Sequence, residues 1–176
     1  MTKTARTYAG ALYDLALDEQ LTDRILSDLQ LVRTVFQENP DYRKLMSEPS
    51  IQKNEREALL DEAWRSNIHL YTLNFMKLLC DNGTLNQIAD CESEFRRRYN
   101  ADHGILEVHV TSAQAISDEM KKKLQEKLEK NTGMKVNLSI CIEESLIGGI
   151  RLEYSGKELD GTVRHHLDSI AHILRA

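Results

Sequence analysis

A chain of 176 residues with 41% hydrophobic and 29% charged side chains, two prolines and eight glycines has the composition of an ordinary folded protein, long enough for one domain or two small ones. That composition excludes a disordered, collagen-like or low-complexity chain, and the net charge of −5 weighs against a nucleic-acid or anionic-membrane partner, which usually meets an excess of Lys and Arg. No apolar run approaches the ~20 residues of a membrane-spanning helix, and Met1-Thr2-Lys3-Thr4-Ala5-Arg6 lacks the apolar core of a secretory signal, so the protein is expected to stay on the side where it is made.

Up to Gly104 the apolar period is helical. From Thr4 to Glu19, the residues Ala5, Tyr8, Ala9, Ala11, Leu12, Leu15 and Ala16 populate more than one stripe, wider than a helix resting on a single core requires. A second helix carries Leu21, Ile25, Leu29, Val32 and Phe36 and is interrupted at Asn39-Pro40. Asp41 to Met46 gives a short third helix that Glu48-Pro49 breaks, and Ser50 to Trp64 a fourth with Leu59, Leu60, Ala63 and Trp64 as its apolar residues. From His69 the run Leu70, Leu73, Phe75, Met76, Leu78, Leu79 is apolar nearly all round, a pattern that requires burial or a partner on the outer side. Asp81-Asn82-Gly83 stops that fifth helix, with glycine as a left-handed cap. A sixth starts at Thr84 and turns Leu85, Ile88, Cys91, Phe95 and Tyr99 inward. Connections this short favour antiparallel neighbours and hence a helical bundle.

After Gly104 the period changes. Ile105, Glu107, His109 and Thr111 alternate with Leu106, Val108 and Val110, as in a half-buried strand. Ser117 is placed to cap a charged helix running through Leu124 and Leu128 to Asn131-Thr132-Gly133. Val136, Leu138, Ile140 and Ile142 predict a second strand and Gly149 to Tyr154 a third, with Ser155-Gly156-Lys157 turning the chain back. Gly161-Thr162 opens a final helix with Val163, Leu167, Ile170, Ala171, Ile173 and Leu174. The expected fold class is therefore α+β in two domains. Residues 1–103 form a six-helix bundle, and residues 104–176 form a small α/β domain with a short mixed sheet and two helices.

Motifs that carry chemistry are scarce. Gly148-Gly149 is followed by Ile150, Arg151 and Leu152 in strand-like alternation, where a phosphate loop would need a Lys-Ser or Lys-Thr opening a helix. Neither a nucleophile elbow nor a His-Glu-x-x-His occurs. Cys80, Cys91 and Cys141 are odd in number and far apart, with no Cys-x-x-Cys, and read as reduced, mostly buried thiols. Cys80, without a basic neighbour, reads as a core residue. His165, His166 and His172 could place two imidazoles on one helix face, but lack a third ligand in pattern and read as surface residues. Arg96-Arg97-Arg98 and Lys121-Lys122-Lys123 sit among glutamates and read as solvated faces. Glu143 and Glu144, adjacent in extended chain, point to opposite sides and cannot share acid-base work. No catalytic residue, metal ligand, cofactor site or small-molecule substrate is expected.

Surplus apolar surface on the first and fifth helices remains. Tyr8-Ala9-x-Ala11-Leu12, with small and large residues interleaved, would line a groove for an amphipathic helix, or serve only the bundle's own core. Both readings stand on periodicity alone.

Separated segments then agree with one family. Ala5-Arg6-Thr7-Tyr8-Ala9-Gly10-Ala11-Leu12-Tyr13, Leu45-Met46-Ser47-Glu48-Pro49, Asn74-Phe75-Met76-Lys77-Leu78-Leu79-Cys80-Asp81-Asn82-Gly83, and Ser145-Leu146-Ile147-Gly148-Gly149 with Asp160-Gly161 resemble the delta subunit family of F-type ATP synthases, whose mitochondrial relative is the oligomycin-sensitivity-conferring protein. Arg56, Thr84 and Glu143-Glu144-Ser145 depart from the family's usual residues. The resemblance implies a non-catalytic stator subunit, peripheral on the cytoplasmic face of the cell membrane and without direct membrane insertion. Its bundle would sit on the catalytic head, the first and fifth helices gripping the N-terminal helix of an alpha subunit, and its second domain would meet the b subunits of the peripheral stalk. By matching positions the grip falls on Tyr8, Ala11, Leu12, Leu15, Phe75, Leu78, Leu79 and Asn82, while Leu146 to Ile150 and the last helix belong to the stalk-facing domain. The rival readings are a cytosolic helical adaptor binding nucleic acid through Arg96 to Arg98 and Lys121 to Lys123, and an enzyme using the histidines and cysteines.

Overall fold

The computed structural model describes residues 2–46, 48, 51–143, 145–146, 148–154 and 157–160. In chain order these form α1 (Lys3–Asp18), α2 (Thr22–Glu38), α3 (Pro40–Met46), α4 (Lys53–Trp64), α5 (Leu70–Asp81), a 3-10 turn (Leu85–Gln87), α6 (Ile88–Asp102), β1 (Ile105–Ser112), α7 (Asp118–Thr132), β2 (Lys135–Ile142), β3 (Ile150–Tyr154) and β4 (Lys157–Asp160). The chain divides into two compact units, Met1–Tyr99 and Asn100–Ala176. The division falls inside α6, a few residues ahead of the boundary read from the loss of helical period. The predicted final helix with His165, His166 and His172, the Ser155-Gly156 corner, Glu144 and Ile147 lie outside the described residues.

In the first unit, Thr2 opens α1 by accepting a hydrogen bond from the Ala5 N–H at 3.1 Å, and α5 is closed by Gly83 at φ 64°, with the Thr84 N–H on the Leu79 carbonyl at 2.8 Å. One core takes Ala5, Ala9, Leu12, Tyr13 and Ala16 from α1, Ile25, Leu29, Val32 and Phe36 from α2, Leu60 and Trp64 from α4, Leu73, Phe75, Met76 and Leu79 from α5, and Ile88, Cys91 and Phe95 from α6. Each large aliphatic or aromatic side chain so enclosed contributes about 1.5–3 kcal/mol through removal from water.

Polar pairs fix how the helices run. Lys53 Nζ lies 2.7 Å from Asp81 Oδ2 and Lys77 Nζ 2.7 Å from Asp61 Oδ2, so α4 and α5 are antiparallel. Arg33 meets Glu92 at 2.6 Å and the Tyr99 hydroxyl donates to Asp23 at 2.6 Å, which sets α2 against α6 in the opposite sense. By contrast α1 runs parallel to α6. The Thr2 N–H donates to Asp90 at 3.3 Å, its hydroxyl to Gln87, and twelve residues on Arg98 Nη1 lies 3.5 Å from Asp14. The buried carboxylate of Asp28 accepts from the His69 N–H at 2.7 Å and the Thr72 hydroxyl at 3.1 Å, with Arg24 Nε at 3.1 Å, tying α2 to the start of α5.

In the second unit the strand order is β2-β1-β3-β4, with β1 and β2 parallel and the other pairs antiparallel. The parallel pair requires a crossover, and α7 supplies it. Ser117 caps α7 by accepting from the Met120 N–H at 3.3 Å, and Gly133 at φ 70° ends it. Leu106, Val108, Val110 and Val136 form the buried row, with Leu124 and Leu128 of α7 packed on it. On the other face the same register aligns Ser139, His109, Glu153 and Glu158.

Three sequence expectations change. The sixth helix begins with a 3-10 turn, because Leu85 and Ile88 both turn into the core within one tight turn of chain. Gly149 precedes β3 rather than lying in it, at φ 87°: β2 and β3 flank β1 on opposite sides, so the chain must cross the end of β1 there, which a left-handed residue permits. A fourth strand, β4, extends the sheet where only a reversal was expected, pairing Leu159 with Leu152.

Candidate partner-binding face

At about 100° per residue, α1 has three working sides. Ala5, Ala9, Leu12, Tyr13 and Ala16 face the core. Gly10, Tyr13 and Asp14 form the flank that meets α6, where the rings of Tyr13 and Phe95 sit edge to face with centroids 5.1 Å apart. The opposite flank carries Tyr8, Ala11 and Leu15 at i, i+3 and i+7 spacing. Tyr8 is half-buried, Ala11 is exposed, and Leu15 keeps 40% of its surface in water.

On α5 the core side is Thr72, Leu73, Phe75, Met76, Leu79 and Cys80. Leu78, 44% exposed, and Asn82 lie together outside it, with Asn82 Nδ2 donating to the Leu78 carbonyl at 2.8 Å. Tyr71, one heptad before Leu78, is half-buried on the same flank; periodicity did not single it out, although its spacing from Leu78 carries the signal.

The eight residues expected to grip a partner therefore divide. Ala11, Leu15, Leu78 and Asn82 are exposed and Tyr8 is half-buried. Leu12, Phe75 and Leu79 are only 5%, 6% and 1% exposed and belong to the unit's own core, so they support the exposed flanks from beneath.

The basic run on α6 is not a free cationic patch. Arg97 donates to Glu94 at 2.8 and 2.7 Å, Arg98 Nε to the same carboxylate at 3.2 Å, and Arg96 Nε lies 3.4 Å from Glu92, both glutamates being fully enclosed. The run is solvated in part, with 64% of the Arg97 side chain and 34% of those of Arg96 and Arg98 exposed, but it also serves the interior: buried carboxylates require charged partners, and the arginines supply them. The Arg97 hydrogen bond, aided by Arg98, holds the Glu94 carboxyl below its ordinary range although burial acts the other way. Lys121, Lys122 and Lys123 are exposed on α7.

Cys80 and Cys91 are buried and Cys141 exposed, all three as free thiols. Burial raises the Cys80 thiol; Arg56, contrary to the expectation of no basic neighbour, lowers it by less. Burial, with Asp90 adding to it, pushes the Cys91 thiol up to about 12. Among the described residues no group of three or more His, Cys, Asp and Glu could hold a metal ion, and no helix is long and apolar enough to cross a membrane.

The family model described as ATP synthase delta (OSCP) subunit matches residues 4–174. The chain is 32% identical over 173 residues to the ATP synthase subunit delta of Chlorobium phaeobacteroides, covering 98% of this chain and 96% of that protein. To the ATP synthase subunit delta, sodium ion specific, of Ilyobacter tartaricus it is 28% identical over 169 residues, covering 96% and 97%. In fold it is similar to a chain of the Toxoplasma gondii mitochondrial ATP synthase hexamer, with a TM-score of 0.79, 18% identity and 99% of both chains covered. From α1 to the residues beyond the sheet, the chain belongs to the ATP synthase delta (OSCP) subunit family.

Proposed function

We propose that the protein is a non-catalytic connector in the stator of an F-type ATP synthase, and that its mechanism is binding. The first unit holds the catalytic head by laying the N-terminal helix of an alpha subunit along the exposed flanks of α1 and α5. The second unit meets the b subunits of the peripheral stalk, so the assembly sits at the membrane surface, on its cytoplasmic side, without entering it. When the rotor turns, the head experiences a reaction torque, and a connector that released it would uncouple ion flow from ATP synthesis.

The observation that carries the reading, given the family, is that Leu15 and Leu78 stay in water while the residues beside them complete a core. Apolar flanks of this kind match the i, i+3, i+7 anchors by which a groove takes an amphipathic helix. Nanomolar attachment corresponds to about −12 kcal/mol, within reach of an interface of roughly 1,600 Å² with a few well-buried anchors. Tyr8, Leu15 and Leu78 are suited to that role, with Ala11 allowing close approach.

Calorimetric titration of the full chain with a synthetic peptide of the alpha-subunit N-terminus tests the first half of the reading. Ala11→Arg and Leu15→Asp should each weaken binding about tenfold or more, since each places a desolvated charge in the contact. Affinity equal to the unsubstituted protein in both variants would defeat the assignment. For the second half, a pull-down from solubilised membranes should bring down the b subunits.

A further inference from the structure

We propose that Arg98 is a positioning residue for this face: seated in a notch at Gly10, it fixes how α1 is rolled on α6 and thereby the angle at which Tyr8, Ala11 and Leu15 are presented. The inference rests on the docking reading above and adds to it the residue that orients the docking helix.

Gly10 lies buried in the middle of α1, where glycine costs about 1 kcal/mol relative to alanine. The space left by the missing side chain is filled from α6. A Cβ on Gly10 would stand 2.6 Å from Arg98 Nη2 and 3.0 Å from Cζ, so the guanidinium rests directly on the α1 backbone. The other end of the group is held by Glu94, whose Oε1 lies 3.2 Å from Arg98 Nε, and Glu94 is itself fully enclosed. Asp14 Oδ1, one turn beyond Gly10, is 3.5 Å from Nη1; being exposed and distant, it adds little, and the seat is mainly steric.

The position of the seat matters because of the geometry of α1. Its α6 flank and its partner flank lie on opposite sides of the core-facing stripe, so a roll that opened the Gly10 notch would swing Leu15 toward or away from a docked helix. Arg97 offers an internal comparison. It bonds the same carboxylate at 2.8 and 2.7 Å, and those bonds stay within α6. Removing Arg97 therefore disturbs Glu94 as removing Arg98 does, without touching α1.

The test measures peptide affinity and urea midpoint together on the full chain. Arg98→Ala should weaken binding of the alpha N-terminal peptide about tenfold, and Arg97→Ala less than about twofold. Gly10→Ala should evict the guanidinium and weaken the peptide comparably while leaving the urea midpoint unchanged or higher, because alanine favours helix; a purely structural role would move affinity and stability together. The double variant should lose no more affinity than either single, since both changes empty one seat. If Arg98→Ala and Gly10→Ala bind as Arg97→Ala does while Leu15→Asp abolishes binding, the positioning role is overturned and the docking site stands. If Leu15→Asp also binds normally, the docking reading falls and takes this inference with it.

Discussion

The carboxylate of Asp28 accepts a hydrogen bond at 2.7 Å from the backbone N–H of His69, forty-one residues further along the chain. With the Thr72 hydroxyl at 3.1 Å on the same oxygen, it holds the first turn of α5 against α2. Replacing it with alanine would bury an N–H and a hydroxyl without acceptors and take from Arg24 its carboxylate partner, leaving it the Asn67 carbonyl at 3.1 Å. Asp28→Ala should therefore lower the unfolding free energy by about 3 kcal/mol, and Asp28→Asn, which keeps one acceptor, by about half that. Urea denaturation followed by circular dichroism checks both, and a loss below ~0.5 kcal/mol for the alanine variant would contradict the account.

Leu12 and Leu15 are one turn apart on α1 but differ in environment. Leu12→Ala should cost about 2–4 kcal/mol, as buried leucines do, whereas Leu15→Ala should stay within about 0.5 kcal/mol of the parent. Peptide titration should show the reverse sensitivity for Leu15. A pair of denaturation curves decides the first part.

Glu94 carries a proton-linked share of the stability. Its carboxyl is held below the ordinary value of 4.5, chiefly by the Arg97 hydrogen bond. A depressed carboxylate contributes stability that is fully present above the unfolded value and is lost as pH falls through the folded one. Glu94→Gln should thus be destabilising at pH 7, with the difference from the parent shrinking below about pH 4.5. Urea midpoints at pH 7, 5 and 3.5 measure the convergence; a constant gap would refute it.

The cysteines make an opposite case. The Cys91 thiol, pushed up to about 12 by burial, stays protonated wherever the fold persists, while Cys141 is exposed. One thiol of the three should therefore react promptly with a disulfide reagent at pH 8, and Cys141→Ser should remove that reaction. Because the Cys91 value is raised, its contribution is intact below pH 9 and is lost as pH climbs from 9 toward 12, where the unfolded chain ionises first. Cys91→Ala should flatten that alkaline fall.

Much of this organisation was legible in the chain because periodicity reports which side of an element is apolar. The rows Leu106, Val108, Val110 on β1, and Ile25, Leu29, Val32, Phe36 on α2, are buried as their spacing implies. Caps at Ser117, Gly83 and Gly133 were readable because each has one chemical reason to be there. Neither periodicity nor matching positions to a family can tell an apolar residue facing its own core from one facing a partner, and so the resemblance groups Leu12, Phe75 and Leu79 with Leu15 and Leu78. Asp28 and Glu92 were hidden for the complementary reason: a charged letter reads as surface unless its distant partners, here His69 and Arg33, are known to meet it; Glu94 has its partners Arg97 and Arg98 on its own helix, and what the spacing does not show is that its carboxylate is enclosed. The β3–β4 pairing was missed because four residues, Lys157 to Asp160, are too few to display an alternation.

A rod held by its own core on one side and by α6 on another, with a third side proposed for a partner, has little room for drift. In α1, Lys3, Arg6, Thr7, Leu17 and Asp18 are exposed and belong neither to the core nor to the Tyr8–Leu15 flank. Saturating substitution along this helix should leave most replacements tolerated at those positions, and the others should owe their intolerance to different neighbours from one turn to the next.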